Sequence, residues 1–297
     1  MPSRRSFLLA GAALLGRPSL LLARRVRYDV VVRGGRVVDG SGRAAFEADV
    51  AIADGRVVAV ARALRDTGRL EIDGRGYVIA PGFVDIHSHG DGSLWDDPRA
   101  ESVIRQGITT IVVGQDGFSR APAPGGGGDD GARQFASFGA LWSGLRELRP
   151  AVNVASMVGL GTVRAYGVGD ANRPATAAEM RRMARVVDDA LGAGACGASS
   201  GLEYTPGAFA PREELVALCR PLARRRLPYA THLRNEDDWL LDAVDEAISV
   251  AREAGCPLQI SHLKTQGPRN WRKLNNVFAR VAAARESGVA KRTPASA

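Results

Sequence analysis

The sequence predicts an α/β fold of the (β/α)8-barrel type, with about six of the eight strand–helix units and a small all-β portion ahead of them. Three observations carry this. After Pro81, short β-branched runs alternate with helical segments at a spacing of about 35 residues, the length of one strand–helix unit in a parallel sheet. All four histidines fall at the ends of such runs. No G-x-G-x-x-G follows the first run, which weakens the rival, a doubly wound nucleotide-binding sheet.

The all-β portion comes first. Residues 28–33 and 36–39 flank Gly34-Gly35, a pair suited to the positive φ angles of a two-residue hairpin. Residues 49–53 and 56–61 flank Asp54-Gly55 in the same way, and Asp73-Gly74 leads into a run at 77–80. Pro81-Gly82 punctuates its end. The strand candidates beyond are 83–87, 109–113, 152–158, 195–199, 229–232 and 258–262.

Between them, Thr176-Ala177-Ala178-Glu179 is a capping box. After it Met180, Met183, Ala184, Val187 and Leu191 form an apolar stripe, read as core. Pro211 opens a second helix with Leu215, Leu218, Cys219 and Leu222 inward, and residues 270–287 form a third. The glycine-rich stretch 121–132 is expected to be a surface loop or lid.

Composition removes other classes. With 45% hydrophobic and 24% charged residues among 297, a globular core is affordable, and a coiled coil, a disordered chain and a polytopic membrane protein are excluded. The net charge of +8 is concentrated at one end. Residues 1–27 hold six arginines and no acid, leaving 34 basic against 32 acidic residues, so a nucleic-acid partner has no support. Cys196, Cys219 and Cys256 make an odd count with no CxxC, so a disulfide framework is not expected and all three read as small buried hydrophobes.

Arg4-Arg5 precedes the apolar run 8–15, an arrangement that resembles a twin-arginine export signal. The run is shorter than the roughly 20 residues a membrane span needs. Residues 1–26 are therefore set aside as a leader, with 27–80 as the small all-β portion, 81–288 as the barrel and 289–297 as an unstructured tail. Export to the periplasm follows from that reading, and a cytoplasmic location if it fails.

The histidines point to chemistry. His87 and His89 form His-Ser-His, where a two-residue strand period puts both imidazoles on one face. His232 and His262 end the runs Pro-Tyr-Ala-Thr-His and Leu-Gln-Ile-Ser-His. Barrel active sites are built at the C-terminal ends of strands. Neutral imidazoles converging there make a divalent metal site, with Zn2+ the default ion, one or two of them.

These segments resemble the amidohydrolase superfamily, in particular the N-acyl-D-amino-acid deacylase (D-aminoacylase) family. Pro81-Gly82-Phe83-Val84-Asp85-Ile86-His87-Ser88-His89 is similar to its first barrel strand, and Gly107-Ile108-Thr109-Thr110-Ile111-Val112-Val113-Gly114 to its second. Gly201-Leu202-Glu203-Tyr204-Thr205-Pro206-Gly207 looks like its fourth-strand loop. Thr231-His232-Leu233-Arg234 and Ser261-His262-Leu263-Lys264 match its fifth and sixth strands. The similarity runs from about residue 28 to 288.

The resemblance implies a small β-sandwich beside a metal-dependent barrel that hydrolyses the amide bond of N-acyl-D-amino acids with a metal-activated water. His87 and His89 would bind one metal, and His232 and His262 the tighter one. Tyr204 and Lys264, one of only three lysines, would hold the carboxylate of the small-molecule substrate. A homo-oligomer stays open.

Two departures matter. The family has Asn-Cys-Gly after its second strand, with the cysteine as a ligand; here the run is Gly114-Gln115-Asp116-Gly117. A carboxylate is a competent, harder ligand, and Asp116 is expected in that place; the alternative is a turn aspartate between Gln115 and Gly117. In the family an eighth strand supplies an aspartate that acts as general base, and no counterpart is legible after Gly288-Val289, so the catalytic base stays unassigned. The expectation is a truncated deacylase, inactive as written or in need of a complementing fragment. Two alternatives remain: a cyclic-amide hydrolase of imidase or hydantoinase type, and a non-catalytic metal-binding remnant.

Overall fold

β1 (Val26–Val37) runs straight through Gly34-Gly35, where the sequence predicts a hairpin turn. The pair makes a bulge instead. β1 pairs antiparallel with β2 (Phe46–Ala53) on both sides of it, and the register shifts between Val32 and Gly35. Gly34 takes φ +63°, and its amide donates to Asp49 Oδ1 at 2.8 Å, so a side chain rather than a turn satisfies the freed backbone. Asp54-Gly55 does form the predicted tight turn, at φ 50° and 69°, between β2 and β3 (Arg56–Ala61). β4 (Thr67–Asp73) and β5 (Val78–Ile79) pair with β1 in parallel, completing one five-stranded sheet.

This is a computed structural model, and it describes residues 26–123 and 133–289. Most of the leader reading, most of the glycine-rich stretch and most of the tail reading therefore lie outside the described residues. The chain divides into two compact units, one ending at Pro81 and the other starting at Gly82. No helix among the described residues is long and apolar enough to cross a membrane.

The second unit alternates parallel strands and helices. β6 (Phe83–Asp85), β7 (Ile108–Val113) and β8 (Asn153–Ser156) form one parallel sheet. β9 (Val158–Gly159), β10 (Ala198–Gly201), β11 (Tyr229–His232) and β12 (Leu258–Ile260) form another. β8 and β9 are separated by Met157 alone, so they occupy one strand position, and the described residues of the unit hold six strand positions, the number the periodicity predicts. Met157 donates its amide to Val113 of the first sheet, and Val158 donates to Gly197 beside the second.

The helices are α1 (Glu101–Ile104), α2 (Phe138–Leu148), α3 (Leu160–Gly167), α4 (Ala177–Gly192), α5 (Arg212–Arg225), α6 (Leu240–Ala254) and α7 (Leu274–Glu286). The capping box forms as predicted: Thr176 Oγ1 accepts from the Glu179 amide and the Glu179 carboxylate accepts from the Thr176 amide. Met183, Val187 and Leu191 are buried, with Met180 and Ala184 packed beside them. Pro211 caps α5 from just outside, and the third predicted helix begins as a 3-10 turn over Pro268–Lys273. Leu215, Leu218 and Leu222 of α5 and Val244 and Val250 of α6 join Met183 and Tyr229 in the main core. Cys219 and Cys256 are buried free thiols, whereas Cys196 is half-buried. Inside this core Arg164 of α3 donates to both oxygens of Glu214 of α5, each side chain almost fully buried.

Candidate metal centre

The C-terminal ends of the parallel strands carry the titratable residues. His232 is the last residue of β11, as the sequence predicts. The other three lie beyond strand ends. β6 stops at Asp85, so His87 and His89 sit on the following segment, where Asp85 Oδ1 accepts from the His87 amide and Val112 O from the Ser88 amide. The two-residue strand period therefore does not account for their shared direction. β12 stops at Ile260, and His262 takes φ 31°, held by a Ser261 amide bond to Thr231 O.

Asp116 is the hub. It follows β7 in a left-handed conformation, φ 50°, which aspartate tolerates better than most residues. Gly117, at φ +83°, passes so close to β10 that a Cβ there would lie 2.7 Å from the Gly201 nitrogen. Buried Ser199 pins this loop, accepting from the Gly117 amide at 3.1 Å and donating to Gly114 O at 2.6 Å. Buried Gln115 donates to Ile86 O and Val112 O, tying the β6 end to the β7 end.

From this perch Asp116 Oδ2 lies 3.5 Å from His87 Nε2, 3.3 Å from His89 Nε2, 3.4 Å from His262 Nε2 and 3.9 Å from His232 Nδ1. All five predicted ligands are thus brought together. Burial alone would raise the Asp116 carboxyl, but hydrogen bonding from His232 and His262 and the nearby imidazoles outweigh it and hold it at about 2. Burial lowers His87 against the pull of Asp116. Burial also works to lower His232, and its bonds with Asp116 and Glu203 reverse the sign.

The donor set fits a divalent ion. Both ring nitrogens of His87 and Oδ1 of Asp116 are buried and make no hydrogen bond. His232 Nδ1 and His262 Nε2 face each other at 3.0 Å on the side turned to Asp116. Buried polar atoms normally find partners, and orphaned imidazole nitrogens converging on a carboxylate are what a cation such as zinc satisfies. The donor atoms of His87, Asp116 and His262 lie within 4.8 Å of one another, as do those of His232, Glu236 and His262.

Sequence reasoning missed two carboxylates. Glu203 Oε2 lies 3.1 Å from His232 Nε2. Glu236, four residues after His232, is buried, with Oε1 3.0 Å from His262 Nδ1 and Oε2 in a short contact with Lys264 Nζ. The His-x-x-x-Glu spacing is visible in the sequence, but a lone sequence does not distinguish a buried acid from a solvated one. The Tyr204 hydroxyl stands 3.4 Å from His232 Nδ1; its partial burial, then the charges of Asp116 and Glu203, raise its pKa. Lys264 and Tyr204 both reach the cluster, Lys264 with its ammonium on Glu236.

Residues 70–289 match the model of an amidohydrolase family. The chain is 38% identical over 270 residues to N-acyl-D-glutamate deacylase of Alcaligenes xylosoxydans xylosoxydans, covering 89% of this chain and 55% of that protein. It superposes with a TM-score of 0.85 and 37% identity on the Bordetella bronchiseptica N-acyl-D-glutamate deacylase, solved with zinc and a phosphonate mimic of the tetrahedral intermediate, over 89% of this chain and 57% of that one. D-hydantoinase from Bacillus sp. AR9, 19% identical with a TM-score of 0.58 over 88% of this chain and 56% of that one, shares the fold alone. The chain spans about half the length of the curated relatives it matches.

Proposed function

The chain belongs to the amidohydrolase family, and on that premise we propose that it holds one or two divalent ions, zinc by default, through His87, His89, Asp116, His232 and His262, and serves hydrolysis of N-acyl-D-amino acids. One observation carries the reading: four imidazoles converge on a single carboxylate oxygen. When bound, the ion supplies Lewis-acid polarisation of the amide carbonyl and acidifies the attacking water.

The residues divide the remaining work. Asp116 stays ionised across the neutral range and brings the negative charge that offsets a dication. Burial keeps His87 neutral, with a lone pair free to donate. Lys264 offers the substrate carboxylate a cation that a cyclic ureide has no group to use, which favours acyl amino acids over the hydantoinase alternative. Tyr204, kept protonated, adds a hydrogen-bond donor beside it. Glu203 and Glu236 are already engaged by imidazole nitrogens, so neither is assigned as the base.

The test is zinc stoichiometry together with turnover. The expected result is tight zinc binding by this chain and, with a fragment carrying the family's eighth strand supplied in trans, release of free D-amino acid from N-acetyl-D-glutamate, with no action on the L-enantiomer or on hydantoin. Hydrolysis of hydantoin instead would select the cyclic-amide reading, and zinc bound without any turnover would select a metal-binding role without catalysis. A wild-type chain that takes up no zinc removes the proposal altogether.

A further inference from the structure

Glu236 sits in the strand-end segment between β11 and α6, 2% exposed, with no solvent to screen its charge. A buried carboxylate is costly unless its oxygens are hydrogen-bonded, and here each is used by a different residue. Oε1 lies 3.0 Å from His262 Nδ1, and Oε2 contacts Lys264 Nζ, with His232 Nε2 farther off at 3.9 Å. The Glu236 carbonyl accepts from the Gln266 amide at 2.7 Å, so the segment carrying Glu236 is tied to the one carrying His262 and Lys264.

The ring geometry divides the two nitrogens of His262. Nε2 looks towards Asp116 and His232, at 3.4 and 3.0 Å, while Nδ1 looks towards Glu236 Oε1 at 3.0 Å, with Lys264 Nζ passing it at 3.3 Å to reach Glu236 Oε2. A carboxylate on the far nitrogen fixes the tautomer: Nδ1 carries the proton and donates it to Glu236, and Nε2 presents its lone pair to the centre. We propose that Glu236 is a positioning residue, a buried clamp whose single carboxylate fixes the ring of the ligand His262 with one oxygen and the ammonium of the substrate-anchoring Lys264 with the other. The Lys264 half rests on the function proposed above; the His262 half does not.

Glu236 is not itself a ligand on this reading, although its oxygens come within ligand range of His232 and His262. Both are occupied, and the approach to His262 is from the nitrogen turned away from Asp116. Glu203 makes the corresponding contact to His232 Nε2, but its side chain is 33% exposed against 3% for Glu236, so solvent dilutes its effect.

Two measurements decide the matter. In the wild-type chain loaded with zinc, nitrogen NMR of labelled histidine should show His262 metallated at Nε2 and protonated at Nδ1; metallation at Nδ1 overturns the clamp, and this reading needs no variant to fold. In Glu236→Gln, competition with a chromophoric chelator should show zinc affinity reduced about 10–100-fold, while Glu203→Gln costs less than about fivefold. Zinc affinity unchanged in a folded Glu236→Gln sinks the proposal. With zinc at saturation, Glu236→Gln should also raise KM for N-acetyl-D-glutamate, with Glu236→Asp intermediate; a fall in kcat at constant KM would refute the Lys264 half. A wild type that binds zinc but leaves the acyl amino acid untouched defeats the proposed function and leaves the zinc-affinity result to judge the His262 half by itself.

Discussion

The two parallel sheets of the second unit are built to different standards. In the sheet of β9 to β12, every residue of β10 and β11 is buried, and the surrounding helices contribute the main core. In the sheet of β6 to β8, the core is a small cluster around Leu94, Ile111, Val113 and Val152, and Phe83 and Val84 of β6 are 60% and 54% exposed. The candidate centre spans both. His232 rises from the well-packed sheet with 6% of its side chain exposed, whereas His89, beyond the thin edge, is 62% exposed. The centre therefore joins a deeply buried imidazole on the dense sheet to an exposed one beyond the thin sheet, with His262 and His87 at 31% and 21% between them, and what stands behind each ligand differs.

The comparison can be broken at its strongest point first. Arg164→Met leaves Glu214 buried without its cation, and stability to denaturant should fall by about 3–5 kcal/mol. A loss below about 1 kcal/mol would mean that the core behind β10 and β11 does not stabilise its side of the centre more than the thin sheet does. Next, Asp116→Asn keeps a residue at home in the left-handed conformation and removes only the charge that all four imidazoles face. Zinc affinity should drop by at least ~100-fold, about 2.7 kcal/mol, by chelator competition.

The two halves can then be set against each other. His232→Ala should cost at least about a hundredfold in zinc affinity, while His89→Ala, at a ring 62% exposed, should cost about tenfold. Equal losses would erase the distinction. The smallest effect is at the thin edge itself: Val84→Ala should change stability by no more than about 0.5 kcal/mol in the same denaturant titration.

How much of this was legible in the sequence depended on whether the signal was local. The capping box at Thr176, the turn at Asp54-Gly55 and the run ending at His232 are local patterns, and they stand where the residues predict. Gly34-Gly35 reads as a turn because its chemistry suits one; it forms a bulge because Asp49, from the neighbouring strand, captures the Gly34 amide. His87 and His262 converge through links such as the Gln115 amide and the Ser261 bond to β11, which have no sequence period. That the four histidines would cluster was legible because histidines are few, and that Asp116 would join them because of its place in a motif. Glu203 and Glu236 were not, because what distinguishes them is burial and a partner on another strand.

The junction at Met157 gives the molecule a built-in gauge. Two consecutive amides, those of Met157 and Val158, are each committed to a different sheet. Their exchange with deuterium therefore clocks the opening of each half separately, from adjacent positions with nearly the same intrinsic chemistry. If both protons exchange at one rate, the two sheets open as a single cooperative unit; if Met157 exchanges first, the β6–β8 side breathes while the β9–β12 side stays closed.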